Sequence, residues 1–231
     1  MNSNNIKDII SGCSDDPTLI FPLITRGEIE IVDYLLEKNI VNINTCDVNG
    51  NDVIVRLLKN NEFDLVLKYM KKRNWDVNHQ NNMGDTFAHI LAGYSDRATI
   101  KIIDSLIRKS NFLPNIVNNK RETILDKATN NSYLCVALKI FEDKRFNNID
   151  LYDFKNLFRL SIDNNKYGIY SKLNNFNILL RSLLKKELQP NMRLLVDRIN
   201  ENRLAIKNDI KNNKLDIILS IINSTIEEVG V

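Results

Sequence analysis

The sequence predicts an all-α chain built as a solenoid of helix-turn-helix units, on three observations. A phrase repeats. Gly27-Glu28-Ile29-Glu30-Ile31-Val32 returns 34 positions later as Asn61-Glu62-Phe63-Asp64-Leu65-Val66, and again as Asn213-Lys214-Leu215-Asp216-Ile217-Ile218. A period of about 20–50 residues marks stacked supersecondary units rather than one irregular core. Glycine is scarce, 7 of 231 residues, about 3% against a usual ~7%, which leaves few positions for tight hairpins or phosphate-cradling loops. Finally, apolar residues such as Ile31, Leu35, Ile103, Leu106 and Ile107 recur at the i, i+3 and i+4 spacing of a buried helix face.

The elements follow in order. Residues 1–17 form a polar N-terminal segment, and 18–149 divide into units 18–46, 47–80, 81–117 and 118–149. Gly50 and Gly84 mark turns between units, where φ > 0 suits glycine. Arg121 holds the third such position, which implies either a different turn or a strained one. After each turn comes a short helix with an N-capping side chain, Asp52, Thr86 or Thr123. Ala92 and Ala128 fall where two helices approach closely. A second helix follows in each unit: Ile29–Lys38, Phe63–Lys72, Ile100–Lys109 and Tyr133–Phe141. Asn44, Asn78 and Asn115 recur in the steps that lead to the turns. From 150 to 231 the pattern weakens into helices at Asp153–Ile162, Phe176–Leu188, one opened by Pro190, Leu204–Ile210 and Leu215–Ile222. This stretch reads as divergent repeats with a C-terminal cap, the alternative being a separate helical domain.

Bulk properties narrow the function classes. Hydrophobic residues make up 43% and charged residues 26%, and the net charge of +3 implies neither a nucleic-acid nor a membrane partner by itself. The 35 asparagines are read as the trace of an AT-rich coding genome. No run approaches 18 apolar residues, and Met1 to Ile10 lacks the apolar stretch of a signal peptide. An intracellular, cytoplasmic and monomeric protein is expected. Cys13, Cys46 and Cys135 are odd in number and far apart, with no zinc spacing. Cys135 is expected as a buried thiol.

Gly84-Asp85-Thr86-Phe87-Ala88-His89-Ile90-Leu91-Ala92, the turn Asp47-Val48-Asn49-Gly50 and the helix from Gly27 to Leu36 resemble the ankyrin repeat over about residues 18–141. Phe87 replaces the family's proline. The Asn-rich units and helical tail are similar to ankyrin-repeat proteins of giant DNA viruses. The resemblance implies a non-enzymatic protein-interaction module, with a host protein as partner if viral. It also implies contact positions on turn tips and first helices: Asn49, Asn51, Arg56, Asn82, Met83, Asp85, Ile90, Tyr94, Asn119, Lys120 and Glu122. His89 falls at the position where the family's imidazole hydrogen-bonds the backbone of adjacent turns.

Signals for catalysis are weak. His79 and His89 are the only histidines, no Cys–His pair is suggested by local sequence, and GxSxG, GxxxxGK[ST] and GxGxxG are absent. No catalytic residue, metal or cofactor is therefore expected. Glu30, Asp64 and Asp216 fall in equivalent first turns, where an acid complements the helix dipole. Trp75 is expected either packed between units or exposed as an anchor. The alternative function is a nucleic-acid-associated helical protein using Lys71-Lys72-Arg73 and Lys185-Lys186.

Overall fold

A computed structural model describes residues 3–94, 97–130, 134–146, 151–163, 169–186, 188–212 and 214–229. Among these residues the chain is all-α, with fourteen α-helices and no strand beyond two isolated bridges. It divides into two compact units, Met1–Arg121 and Glu122–Val231. The expected 118–149 unit therefore has its turn in the first and its helices in the second.

The first unit holds α1 (Ser3–Asp15), a 3-10 turn (Pro17–Leu19), α2 (Ile20–Arg26), α3 (Ile29–Glu37), α4 (Val53–Lys59), α5 (Phe63–Tyr69), α6 (Phe87–Leu91) and α7 (Arg97–Ile107). α1 stands where a polar segment is expected; Ile6, Ile9, Ile10 and Cys13 have helical spacing, and Cys13 is buried. Three helix pairs follow, α2 on α3, α4 on α5 and α6 on α7, and α4 packs on both α2 and α6. That sandwiching explains why five of the seven residues of α4 are buried. α3, at the outer layer, buries only Val32, Leu35 and Leu36. Ala92 is fully buried, as its small side chain required. Glu30 and Asp64 sit in first turns of their helices, as does Asp216 further on. Of the phrase's opening residues, Gly27 and Asn61 are left-handed (φ 74° and 62°), whereas Asn213 lies outside the described residues.

The turn residues Gly50, Gly84 and Arg121 have φ 75°, 74° and 62°. Each donates its N–H three residues back, to Asp47 O, Asn81 O and Asn118 O at 2.8–2.9 Å. Arg121 thus keeps the common turn and is the strained member of the series. Replacing it with glycine should stabilise the fold by about 1 kcal/mol, since a non-glycine residue pays roughly that to enter the left-handed region. A raised denaturant midpoint for Arg121→Gly checks this; an unchanged or lowered midpoint counts against the strain.

The second unit holds α8 (Ile124–Asn130), α9 (Leu134–Glu142), α10 (Leu151–Phe158) with a π-helical turn (Arg159–Asp163), α11 (Ile169–Leu183), α12 (Pro190–Glu201), α13 (Arg203–Lys211) and α14 (Asp216–Val229). Pro190 opens α12 and Phe154, Leu157 and Phe158 are buried, as expected. α11 starts seven residues before the expected Phe176 and stops at Leu183. Its early asparagines form helices poorly, but buried Asn175 donates from Nδ2 to Ser161 O at 2.9 Å, satisfying a carbonyl of the π-helical turn. α11 packs against α9, α12 and α13. The burial expected of Cys135 lies outside the described residues, as does Tyr133.

Candidate interaction face

The turns of the first unit are tied to one another by asparagine. Within each turn, Asp47, Asn81 and Asn118 accept backbone N–H bonds on Oδ1, from Asn49 and Asn51, from Met83 and Asp85, and from Lys120. Between turns, the Asn82 N–H donates to Asn49 O and the Asn119 N–H to Met83 O, at 3.0 and 3.1 Å. Their side-chain amides donate in parallel, Asn82 Nδ2 to Val48 O and Asn119 Nδ2 to Asn82 O. One level below, Asn44 accepts the Asp76 N–H and donates to Asn74 O, and Asn78 does the same with Leu113 and Asn111. An amide that both donates and accepts can bridge two loops in a single step. Part of the asparagine excess thus has a structural use that composition hid.

Caps fix the inner helices beneath the turns. Asp52 Oδ1 accepts the Val55 N–H at 2.8 Å, and Oδ2 accepts Trp75 Nε1–H at 2.8 Å. Trp75 is therefore buried and packed, with its ring edge-on to Phe87 at 5.2 Å, and is no exposed anchor. Thr86 and His89 form a reciprocal capping box: the Thr86 N–H donates to His89 Nδ1, and the His89 N–H to Thr86 Oγ1. Thr123 and Asp126 repeat this box at the start of α8.

These bonds sort the expected contact positions. Asn49, Asn82, Met83, Asn119 and Lys120 are exposed on the turns. Asp85, Ile90, Tyr94 and Glu122 are half-buried; Asp85 accepts Asn118 Nδ2, and Glu122 pairs with Lys127 at 3.4 Å. Asn51 is a correction. It is buried, and its amide is taken up by Asp47, Asn81 and Lys59, because the ladder needs a two-sided hydrogen bonder there. Arg56 is also partly committed, donating to Thr25 Oγ1 at 3.1 Å and lying 3.6 Å from Asp47. It lines an open cleft of about 690 Å³ whose walls include Phe21, Pro22, Thr25, Arg26, Cys46 and Val48. Val48, which sequence reading passed over, is 93% exposed beside this cleft, and Met83 is 57% exposed.

A Cys–His contact does form, across 33 residues: Cys46 Sγ lies 3.3 Å from His79 Nε2. The same Nε2 faces Gly50 O at 2.8 Å. A carbonyl only accepts, so Nε2 carries the proton and cannot serve Cys46 as a base. Burial, then the Asp52 and Asp47 carboxylates, push the Cys46 thiol above its ordinary range. The contact links one unit to the preceding turn and does not activate a nucleophile. No cluster of three or more His, Cys, Asp or Glu suited to a metal ion occurs among the described residues. No helix among them is long and apolar enough to cross a membrane.

The basic clusters are not what sequence suggested. Lys72 donates to Leu36 O at 2.9 Å and lies over the Tyr69 ring, so only Lys71 and Arg73 project freely. Lys186 is buried, donating to Asp143 O and Phe146 O at 2.5 and 2.7 Å against the rings of Phe141 and Phe146. Burial lowers its pKa to about 8, with Asp143 opposing. Unfolding returns the amine to an ordinary value of about 10.4, so the unfolded chain binds more protons between these limits. Stability should therefore rise as pH climbs from about 8 toward about 10.4. Denaturant midpoints across that window should show the gain in the wild type and less of it in Lys186→Met. Parallel pH curves for the two proteins would sink the assignment.

No family model matches the chain, and no curated protein matches it.

Proposed function

We propose that the chain is a non-enzymatic interaction module of ankyrin type, which holds another protein along the turn tips and the cleft beside α2. On this reading repeats run through 18–149, and 150–231 are divergent repeats with a cap. The observation that carries it is a division of labour in the turns. Backbone groups and the Asp47, Asn81 and Asn118 side chains hold the ladder. The side chains of Val48, Asn49, Met83 and Lys120 stand in solvent without a structural task. Exposed apolar groups on neighbouring turn tips, Val48 beside the cleft and Met83 on the next turn, favour a partner, and a rigid ladder beneath them lowers the entropic cost of binding. Recurrent helix pairs, left-handed turn residues and repeated capping boxes support the ankyrin assignment. The resemblance to giant-virus proteins makes a host-cell protein the proposed partner.

A combined Val48→Ser, Asn49→Ala, Met83→Ser and Lys120→Ser variant tests the reading. It should keep wild-type helicity by circular dichroism and wild-type melting. In affinity capture with mass spectrometry, a specific protein held by the wild type should be lost from the variant. Identical captured sets would remove the turn tips from the function.

A further inference from the structure

We propose that the face formed by α11 and α13 in the second unit binds the phosphate backbone of a single-stranded nucleic acid, an activity separate from the turn tips of the first unit. Arg203, Lys207 and Lys211 stand four residues apart on α13 and so form one stripe, rising about 6 Å per step. Arg181 joins them from α11, which packs against α13. Burial, followed by the charges of Arg203, Arg181 and Lys211, holds the Lys207 pKa below its ordinary value, which places the four within one another's fields.

Among the described residues, none of the four makes an ion pair or side-chain hydrogen bond, and Arg203 Nε is buried without a partner. Elsewhere in the unit several cations are neutralised, Arg145 by Asp143, Lys127 by Glu122 and Arg198 by Glu228. Asp209, the one acid on α13, accepts the Ile217 N–H on Oδ2. Around the stripe, residues 181–214 carry nine Lys or Arg against four Asp or Glu. Clustered, unneutralised cations cost stability through repulsion, and a polyanion removes that cost on binding.

The form of the face selects the anion. Three of its charges run along α13 with Arg181 of α11 beside them, which suits a strung series of phosphates better than one small ion. Protein interfaces concentrate charge at the rim around an apolar core, whereas the residues that define this stripe are themselves cations. A membrane-surface helix needs a broad apolar face; α13 exposes one large apolar side chain, Leu204. No aromatic residue lies on α13, so backbone contact without base-sequence preference is expected.

The test uses the full chain and a fluorescein-labelled oligothymidylate, followed by anisotropy. Four phosphate contacts to a single strand predict an affinity loss of about 50-fold between about 50 and 200 mM salt. A variant with Arg181, Arg203, Lys207 and Lys211 each changed to Gln should lose binding and most of this salt dependence. A charge-matched control with Lys71, Arg73, Lys101 and Arg108 changed to Gln should retain both. Melting of the first variant should stay level or rise, since like charges are removed. Equal binding by wild type and first variant, or equal loss in both variants, overturns the proposal. So does wild type that ignores the oligonucleotide while binding phosphatidylserine vesicles or polyglutamate.

Discussion

Gly84→Ala should cost the fold about 3 kcal/mol, against about 1 kcal/mol for Gly27→Ala. Both glycines have φ of 74°, so the dihedral penalty on an added Cβ is the same. Their surroundings differ. A Cβ at Gly27 meets nothing within 4 Å, whereas at Gly84 it falls 2.5 Å from Asn119 Oδ1 and 2.6 Å from the Asn119 backbone nitrogen. The amide could swing away, but the backbone cannot without breaking the bond from Asn119 N–H to Met83 O. Gly50 stands against Asn82 in the same way, at 2.5 and 2.9 Å, so Gly50→Ala should resemble Gly84→Ala. Urea titrations read through the sole tryptophan, Trp75, would measure the differences. Equal losses at Gly27 and Gly84 would mean that the turns do not touch as closely as described.

Trp75→Ala should remove about 4 kcal/mol, and Trp75→Phe about 1–2 kcal/mol. Alanine empties a fully buried site against Phe87, whereas phenylalanine keeps most of the volume and deletes the donor to Asp52. Burial raises the Asp52 pKa, and the hydrogen bonds from Val55 and Trp75 work against that rise. A carboxyl whose folded pKa exceeds its unfolded one supports the fold below about pH 4 and loses that support as pH climbs through the folded value. Without the Trp75 donor the folded value climbs further, so the deficit of Trp75→Phe should widen from about pH 4 upward. Helicity at 222 nm during denaturation, compared between acid and neutral pH, gives the readout. A deficit constant with pH would leave Asp52 out of the account.

Much of the helix order was legible in the chain, because local chemistry carries it. Asp52, Thr86 and Thr123 cap first helices, Pro190 opens α12, and Gly50 and Gly84 take the left-handed turns. Each depends on residues a few positions away, so one segment is enough to read it. Two local signals were available and passed over: the apolar spacing that makes α1, and the exposed Val48 within a turn already identified.

What folding alone decided were pairings across 12 to 43 residues. Whether Trp75 faced water depended on Asp52 and Phe87. Asn51 turned from a contact position into a rung only when Asn81 came beside it. Lys186 left the basic surface because Asp143 O and Phe146 O bind its ammonium group, and Arg181 joined the α13 stripe because α11 packs there. Periodicity and capping specify where helices lie, since they are local energies. The fate of a polar side chain is set by partners distant in sequence, because desolvation and hydrogen bonding are settled only when helices and turns within each unit pack together.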